Sequence, residues 1–381
     1  MSRGSFNRIK AVSSKELKEI IRSPLFLLLA HFVPVALFLV FGFGLSLDVE
    51  NIPTAFLDLD RTQTSRELVN GLVKTKYFHL QERAENNQRL INLLKRGKIR
   101  LALVIPPQFQ KRLYQDRASP IQVLIDGTYP YRGLVIKNYV KAYLTSFNTE
   151  LAQNWLNKRG QTSVNLQPIK LETRFLYNPS LVSSYSLVPG LLVVILMMNP
   201  AIMAALAIVK EKDYGTIYNI YSSSITRWEF LLGKVIPYYG LNFINILILF
   251  LLSLVLFQVP FKGSLFLLLL GSIIYIFTTT GMGLVVSVFT RSMVAAQIVT
   301  IIITIIPSFL YSGLLMPVSN LGREGEIEAH LFPAMYYMKI VQGTYSKVIG
   351  LKEMGTDYLI ILAYGTILSF ISLLLFKKRE G

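Results

Sequence analysis

Long uncharged apolar runs dominate the hydropathy pattern of this chain. Six runs contain no Asp, Glu, Lys or Arg, and they cover residues 25–47, 187–209, 235–258, 265–289, 293–318 and 358–376. A helix rises about 1.5 Å per residue, so roughly 20 apolar residues cross a hydrocarbon layer about 30 Å thick. The pattern therefore predicts six transmembrane helices.

A different pattern fills the segment 48–183 between the first two runs. Short strand-like apolar runs alternate there with helical periodicity, as in βαβ units. The strands are expected at 53–59, 77–81, 99–105 and 121–125, with a last candidate at 168–177, and the helices at 64–75, 86–96, 107–115 and 131–157. We predict an α-helical polytopic membrane protein with six transmembrane helices and an inserted extracytoplasmic α/β domain.

Two shorter segments are typical of membrane interfaces. Residues 5–22, within a cytoplasmic segment 1–24, combine apolar positions at helical spacing with basic residues, which favours an amphipathic interfacial helix over a solvated basic tail. Residues 331–345 hold a short aromatic helix pattern that cannot cross a bilayer, so a re-entrant or interfacial element is expected over 331–349. Tyr336 and Tyr337 would suit the headgroup level.

Charge placement sets the expected orientation. The 381 residues are 52% hydrophobic and 16% charged, with a net charge of +17. Basic residues cluster at both ends of the chain, in the segment 210–234 and at Arg291. By the positive-inside rule both termini and these loops are cytoplasmic, so the net charge does not indicate nucleic acid binding. The basic surface of 48–183 is either solvated or attracts anionic lipid or polysaccharide.

The chain offers little chemistry of its own. It has no Cys and no G-x-x-x-x-G-K-[ST] phosphate loop, and His31 is the one ionisable residue in the apolar runs. Asp58 and Asp60 resemble a D-x-D metal pair, although alternating acids after a strand are common. These features argue against an enzyme and against an ion-coupled carrier, since such carriers use intramembrane charges.

A few polar side chains interrupt the apolar runs. They either line a translocation path or bond to neighbouring helices, and they are Asn199, Asn242, Asn245 and Gln297.

The loop 210–234 carries the most distinctive residues. An apolar stripe over 216–231 predicts a short helix along the cytoplasmic face, with a plain basic loop as the alternative. The loop contains EKDYGT at 211–216 and SITRWEF at 224–230, followed by Gly233-Lys234 and Pro237-Tyr238.

These residues resemble the signature loop of bacterial ABC-2-type transporter permeases, in which an E-x-x-x-G-T element precedes P-[IV]-[ST]-R-x-E-[FL]-x-x-G-K-x-x-P-Y. The similarity in layout covers essentially the whole chain. Ser223 departs from the family, which commonly has Pro at this position.

The resemblance implies the permease subunit of an exporter for hydrophobic or amphipathic cargo in the bacterial inner membrane. Two copies of a separate ATPase subunit would supply ATP and Mg, with no cofactor on this chain. A second permease, identical or not, would complete a dimer, and membrane lipids and a periplasmic adaptor are further candidate partners. The implied ATPase-coupling residues are Lys210, Glu211, Asp213, Gly215, Thr216, Arg227, Trp228 and Glu229.

Two alternative functions would depend mainly on the external domain. One is a membrane-anchored envelope assembly factor or enzyme that acts through this domain. The other is a scaffold that uses ATP to act on an external partner without moving cargo.

Overall fold

A computed structural model shows the fold of residues 3–45, 49–115, 119–128, 130–158, 178, 182–218 and 222–376. Contacts divide the chain into two compact units. The first unit, here called the helical unit, comprises Met1–Ser46 and Phe175–Gly381, and the second, the inserted unit, comprises Leu47–Arg174.

Six helices of the helical unit are long and apolar enough to cross a membrane, in the part of the chain that the structure describes. This confirms the six helices predicted from the apolar runs. Helices are numbered in chain order over the whole chain, and the numbers missing here belong to helices described below. The six candidate spans are α2 (Pro24–Gly44), α7 (Ser184–Asp213), α8 (Arg227–Val255), α9 (Leu265–Phe289), α10 (Met293–Tyr311) and α13 (Leu351–Leu375).

An amphipathic helix precedes them. Helix α1 (Arg3–Arg22) ends immediately before Ser23, and Pro24 starts α2. Proline fits the first turn of a helix because its missing N–H would have no partner there. The predicted helix over residues 5–22 is therefore confirmed.

Several helix ends differ from the apolar runs. Helix α7 continues to Asp213, beyond the run that ends at 209, and α13 begins at Leu351 rather than at 358. Backbone hydrogen bonding continues through polar residues, whereas an apolar run ends at the first charge. Helix α10 stops at Tyr311 rather than 318, two residues before Gly313, whose positive φ of 90° is incompatible with a continued helix.

The short helix predicted at 216–231 lies only partly within the described residues: Ile217 and Tyr218 are helical, and the residues from Arg227 onward belong to the next long helix. Gly215 has a left-handed backbone (φ 71°), which turns the chain after α7, and the next long helix begins only at Arg227 and continues as span three. Thr226 and Glu229 form a capping box that sets this start. Ile220 and Tyr221, two positions of the expected apolar stripe, lie outside the described residues.

The aromatic element before the last span is a short helix, α12 (Pro333–Gln342), followed by a π turn over Gly343–Lys347. It is preceded by α11 (Gly322–His330), which the sequence pattern did not indicate. Tyr337, which was expected at headgroup level, packs inside the protein. Its ring is fully buried and stacked on Tyr275 at 4.1 Å, and its hydroxyl lies 2.7 Å from the hydroxyl of Ser272.

The described residues of the inserted unit form a four-stranded sheet in the order β2-β1-β3-β4. Strands β1, β2 and β3 are parallel, and β4 pairs with β3 in antiparallel orientation. Its elements alternate as predicted: β1 (Ile52–Asp58), α3 (Gln63–Lys74), β2 (Phe78–Arg83), α4 (Asn87–Lys95), β3 (Leu101–Ile105), α5 (Phe109–Tyr114), β4 (Gln122–Ile125) and α6 (Pro130–Lys158). The strand candidate at 168–177 lies outside the described residues.

Helices cover both faces of this sheet. On one face Leu68 and Leu72 of α3 pack with Phe56, and on the other Leu90 and Leu93 of α4 pack with neighbouring strand residues. Burial on two sides explains why β3 reads LALVI, without polar alternation.

Asp58 and Asp60 build the turn between β1 and α3. Asp58 Oδ1 accepts from the backbone N–H groups of Asp60 and Arg61, and Asp58 Oδ2 accepts from Ser65 Oγ at 2.7 Å. Asp60 Oδ2 accepts from Thr62 Oγ1 and from the N–H of Gln110. Both carboxylates therefore have a structural role in this turn.

Candidate functional site

The most unusual feature of the helical unit is a buried lysine. Lys234, in the second turn of α8, is only 1% exposed. Its Nζ donates to Glu16 Oε2 on α1 and to Glu211 Oε1 on α7, each at 2.5 Å. Both glutamates are buried as well. A buried charge is tolerated only when it is paired and hydrogen-bonded, so this lysine holds three helices in one arrangement.

The pairing extends into a network of three lysines and three glutamates. Glu19 accepts from Lys210 Nζ at 3.1 Å, and Lys15 Nζ lies 3.4 Å from oxygens of both Glu19 and Glu211. With Lys234 and Glu16 the formal charges cancel. We call these six residues, Lys15, Glu16, Glu19, Lys210, Glu211 and Lys234, the charge network.

The less buried residues of the charge network, Glu19 and Lys15, also interact strongly with their neighbours. Burial alone would raise the pKa of Glu19, but the hydrogen bond from Lys210 and the charges of Lys210, Lys15 and Lys234 outweigh it, so the pKa lies below its usual value. The pKa of Lys15 is raised for the complementary reason: burial opposes its charge, and the carboxylates of Glu211 and Glu19 more than compensate.

Two hydroxyl groups donate hydrogen bonds to the remaining oxygens of the buried carboxylates. Tyr238 donates to Glu16 Oε1 at 2.6 Å, and Thr216 donates to Glu211 Oε2. Thr216 can reach back because Gly215 reverses the chain. Every carboxylate oxygen of Glu16 and Glu211 thus has a donor, as burial requires.

Glu229 forms a second joint between α1 and α8. Arg8 donates to it through two nitrogens, at 2.9 and 2.7 Å, and Ser5 Oγ donates at 2.6 Å. The same carboxylate accepts the N–H of Thr226 in the capping box. One side chain therefore both starts α8 and fixes the beginning of α1 against it.

Gly233 allows the two helices to approach closely. A Cβ at this position would lie 2.7 Å from Val12 Cβ and 3.1 Å from the carbonyl oxygen of Ile9, both on α1. No real Cβ tolerates the first distance. The Gly233-Lys234 pair thus combines a close helix contact with the buried charge.

The end of α7 also holds the next two spans. Lys212 Nζ donates to the carbonyl of Ser287 at 2.6 Å, near the end of α9, and Asp213 Oδ2 accepts the N–H of Met293 at the start of α10. A cation at a helix C-terminus and an anion at an N-terminus are both stabilised by the helix dipole. The polar loop is thereby connected to four spans and to α1.

Other residues of the loop face solvent. Tyr214 and Tyr218 are 65% and 64% exposed, Asp213 and Arg227 are exposed, and Trp228 is half-buried. An exposed aromatic pair with charges of both signs is typical of a protein interaction surface. We call Asp213, Tyr214, Tyr218 and Arg227 the loop surface.

Three of the four polar residues proposed for a translocation path are buried between helices. Asn199 donates to Asn242 Oδ1 at 2.8 Å, and Asn245 donates to the carbonyl of Ala30 and lies 2.6 Å from Nδ1 of His31. These contacts correspond to the helix-bonding alternative. Gln297 instead lies on an exposed face of α10.

Sequence reasoning singled out Glu211 and Glu229 but missed their partners Arg8, Glu16 and Lys234. A signal was present for Glu16. Ile9, Val12, Glu16 and Ile20 follow one another at intervals of three to four residues, so the acid occupies the apolar stripe of α1. A charge on such a stripe indicates a buried partner.

The site joins helices α1, α7 and α8 through buried and partly buried ion pairs. Its carboxylates are all hydrogen-bonded, and the described residues contain no group of His, Asp and Glu placed to hold a metal ion. Removing one member of a buried ion pair costs about 3–5 kcal/mol, so these pairs favour a single arrangement of α1, α7 and α8.

Known proteins are similar to this chain over most of its length. The family model described as "ABC-2 family transporter protein" matches residues 24–374. The chain is 30% identical to the probable multidrug ABC transporter permease YbhS of Escherichia coli (strain K12) over 342 residues, covering 90% of this chain and 89% of YbhS. It is 25% identical to the probable multidrug ABC transporter permease YbhR over 345 residues, 90% of each chain, and 24% identical to the inner membrane transport permease YhhJ over 337 residues, 86% of each, both from the same strain.

Proposed function

The chain belongs to the ABC-2 family of transporter proteins, and from this premise we propose that it is the permease subunit of an ATP-driven exporter whose ATP hydrolysis takes place on a separate subunit. The observation that carries the proposal is Lys234, buried between Glu16 and Glu211. These buried ion pairs connect the ends of spans α7 and α8. Such a connection suits a permease that is moved by a conformational change of an ATPase bound at one face of the membrane.

The proposed docking site for the ATPase is the loop surface. Its exposed tyrosines offer apolar contact area, and Asp213 and Arg227 offer charges of opposite sign. Aromatic and Arg residues contribute most to the stability of protein interfaces. Behind this surface, Lys210, Glu211, Gly215, Thr216, Trp228 and Glu229 would pass the displacement to the spans as a rigid-body tilt.

The proposed transport unit is a dimer of permeases with two ATPase subunits. Helix α10 buries Ala296, Thr300 and Thr304 and leaves Ile298 and Gln297 exposed. An amide on an apolar membrane face is stabilised by a partner, so a second permease or a path between the two copies would occupy this face. Asn199, Asn242 and Asn245 would support that path from inside the helix bundle.

The remaining assignments follow from charge and composition. By the positive-inside rule, the basic termini and loops favour a cytoplasmic location for both ends of the chain and an external location for the inserted unit. A path without charged side chains suits hydrophobic or amphipathic cargo, consistent with the drug-transport names of the relatives. ATP and Mg would bind the ATPase, and lipids or a periplasmic adaptor would contact the permease.

Copurification tests the docking surface. The chain is co-expressed with an ABC ATPase encoded in the same genome, purified through a tag on the permease, and assayed for bound ATPase. Tyr214→Ala with Arg227→Glu should reduce the recovered ATPase at least tenfold, because both side chains are exposed and contribute to the contact rather than to folding.

The matched control is Tyr114→Ala with Arg112→Glu, two exposed residues of the inserted unit. It should retain the ATPase fully. Equal recovery with both double variants would contradict docking at the loop surface, and failure of the native chain to retain any ATPase would contradict the transporter proposal itself.

A further inference from the structure

The inserted unit contains a cavity of about 370 Å³ at the carboxyl ends of strands β1 and β2. This volume lies within the range of roughly 300–1,000 Å³ that is usual for small-molecule sites. In open α/β sheets, ligands bind in the crevice outside the carboxyl ends of parallel strands. The cavity lies between the ends of β1 and β2 and beside α3, the helix that connects these two strands.

Three arginines from three different elements line the cavity. Arg61 follows β1, Arg66 lies in α3 and Arg83 ends β2. Arg66 also donates to the backbone carbonyl of Arg61 at 3.3 Å. Within the described residues, no ion pair links any of these guanidinium groups to a carboxylate. Three like charges around one cavity repel each other, and an anion would relieve this repulsion.

Two carboxylates also line the cavity, and their positions matter for its charge. Both oxygens of Asp58 accept hydrogen bonds within the β1–α3 turn, from two backbone N–H groups and Ser65. Glu85 is exposed after β2. The lining therefore retains one net positive charge, and the surrounding segment 48–180 adds to it with twenty basic against eleven acidic residues.

The rest of the lining is apolar. Phe56 and Val69 form buried parts of the wall, and Leu59, which is 47% exposed, lies at the same cavity. A bare inorganic ion would leave this apolar surface without contact. The combination fits a ligand with an anionic group and a small organic body.

We propose that this cavity binds a small organic phosphate ester. Guanidinium groups match the geometry of phosphate oxygens and form charge-assisted, often bidentate hydrogen bonds with them. Arg61, Arg66 and Arg83 hold the phosphate, and Leu59 and Val69 contact the organic part. This site is separate from the ATPase-dependent function and can be tested without an ATPase.

The phosphate can come from a soluble ester or from a lipid headgroup. The test uses the purified full chain in a phosphate-free maltoside detergent at low salt, with binding measured by isothermal titration calorimetry. The probes are glycerol 3-phosphate and dihexanoyl phosphatidylglycerol below its micelle concentration, with glycerol as the neutral reference. We expect at least one phosphate probe to bind and glycerol not to bind.

Single substitutions Arg61→Gln, Arg66→Gln and Arg83→Gln should each weaken binding of that probe about tenfold, as expected for the loss of one charge-assisted hydrogen bond. All three residues are exposed, so the variants should keep the native melting temperature. Arg112→Gln, an exposed arginine outside the cavity, should bind like the native chain.

If only one of the two phosphate probes binds, the result shows whether the site takes a soluble ester or a lipid headgroup. If both bind, the phosphate itself is recognised. The proposal is overturned if neither probe binds, if glycerol binds equally well, or if the three cavity variants bind like Arg112→Gln.

Discussion

At the scale of single residues, the side chain of Lys234 determines how α1, α7 and α8 meet. It lies inside the protein with Glu16 and Glu211 as its partners, and Tyr238 and Thr216 satisfy the remaining carboxylate oxygens. Replacing a buried ion pair with apolar groups is often neutral, whereas removing one partner is strongly destabilising. The network therefore specifies one arrangement of helices, with a high cost for breaking it.

We predict that Lys234→Met destabilises the protein by about 3–5 kcal/mol, because it removes the buried cation that Glu16 and Glu211 share. Thermal unfolding of the purified chain, followed by circular dichroism, measures the effect. Lys18→Met, an exposed position on α1, is the control and should leave the melting temperature unchanged. A melting temperature of Lys234→Met equal to that of the control would show that the network does not hold the helices.

Glu19 gives a pH-dependent prediction. Its pKa is lower in the folded protein, since the hydrogen bond from Lys210 and the nearby lysine charges outweigh the effect of burial. A lowered pKa stabilises the fold above the ordinary value of 4.5 and loses this contribution as the pH falls through the folded value. Glu19→Gln should lower the melting temperature at pH 7, and the difference from the native chain should narrow below pH 4.5. A constant difference across this range would contradict the prediction.

At the scale of elements, one face of α1 contacts the spans, and this face carries both apolar and charged side chains. Ile9 and Ile20 are buried together with Glu16, whereas Phe6 and Ile21 are about 60% exposed. One face thus contacts the helical unit, and the opposite apolar positions remain available to lipid. Gly233 on α8 sets the distance between the two helices.

We predict that Gly233→Ala displaces α1 and impairs coupling, because the new Cβ would lie 2.7 Å from Val12 Cβ. Cargo-dependent stimulation of the ATPase should fall at least tenfold. Gly240→Ala is the matched control on the same helix, since nothing lies within 4 Å of its Cβ position. The explanation fails if Gly233→Ala and Gly240→Ala stimulate the ATPase equally.

At the scale of the whole molecule, the direction of the chain through the membrane decides which face receives the ATPase. The orientation proposed above, with the loop at 210–234 cytoplasmic and the inserted unit external, rests on the positive-inside rule for the termini and the short loops. The absence of Cys from the sequence makes this simple to test with introduced thiols.

We predict that Lys98→Cys, exposed in the inserted unit, reacts with a membrane-impermeant maleimide in intact spheroplasts. Ser222→Cys, exposed in the loop, should react only after permeabilisation. Labelling of Ser222→Cys in intact spheroplasts would place the loop outside and remove the basis for ATPase coupling.

Much of the architecture followed from local patterns. The six spans and the alternation of strands and helices in the inserted unit depend on run length and periodicity, which are properties of neighbouring residues. The charges of the loop and its Gly215 were also visible in the sequence, and Glu211 and Glu229 were named as candidates.

The tertiary structure alone decided which charges meet. Lys234 is 218 residues from Glu16 and 23 from Glu211, and no local pattern reports a contact across that separation. The contacts of Arg8 and Ser5 with Glu229 likewise span more than 200 residues, whereas the capping box that starts α8 at Arg227 is a local pattern. Sequence periodicity determines which elements form, whereas desolvation forces buried charges to find partners wherever the fold brings them together.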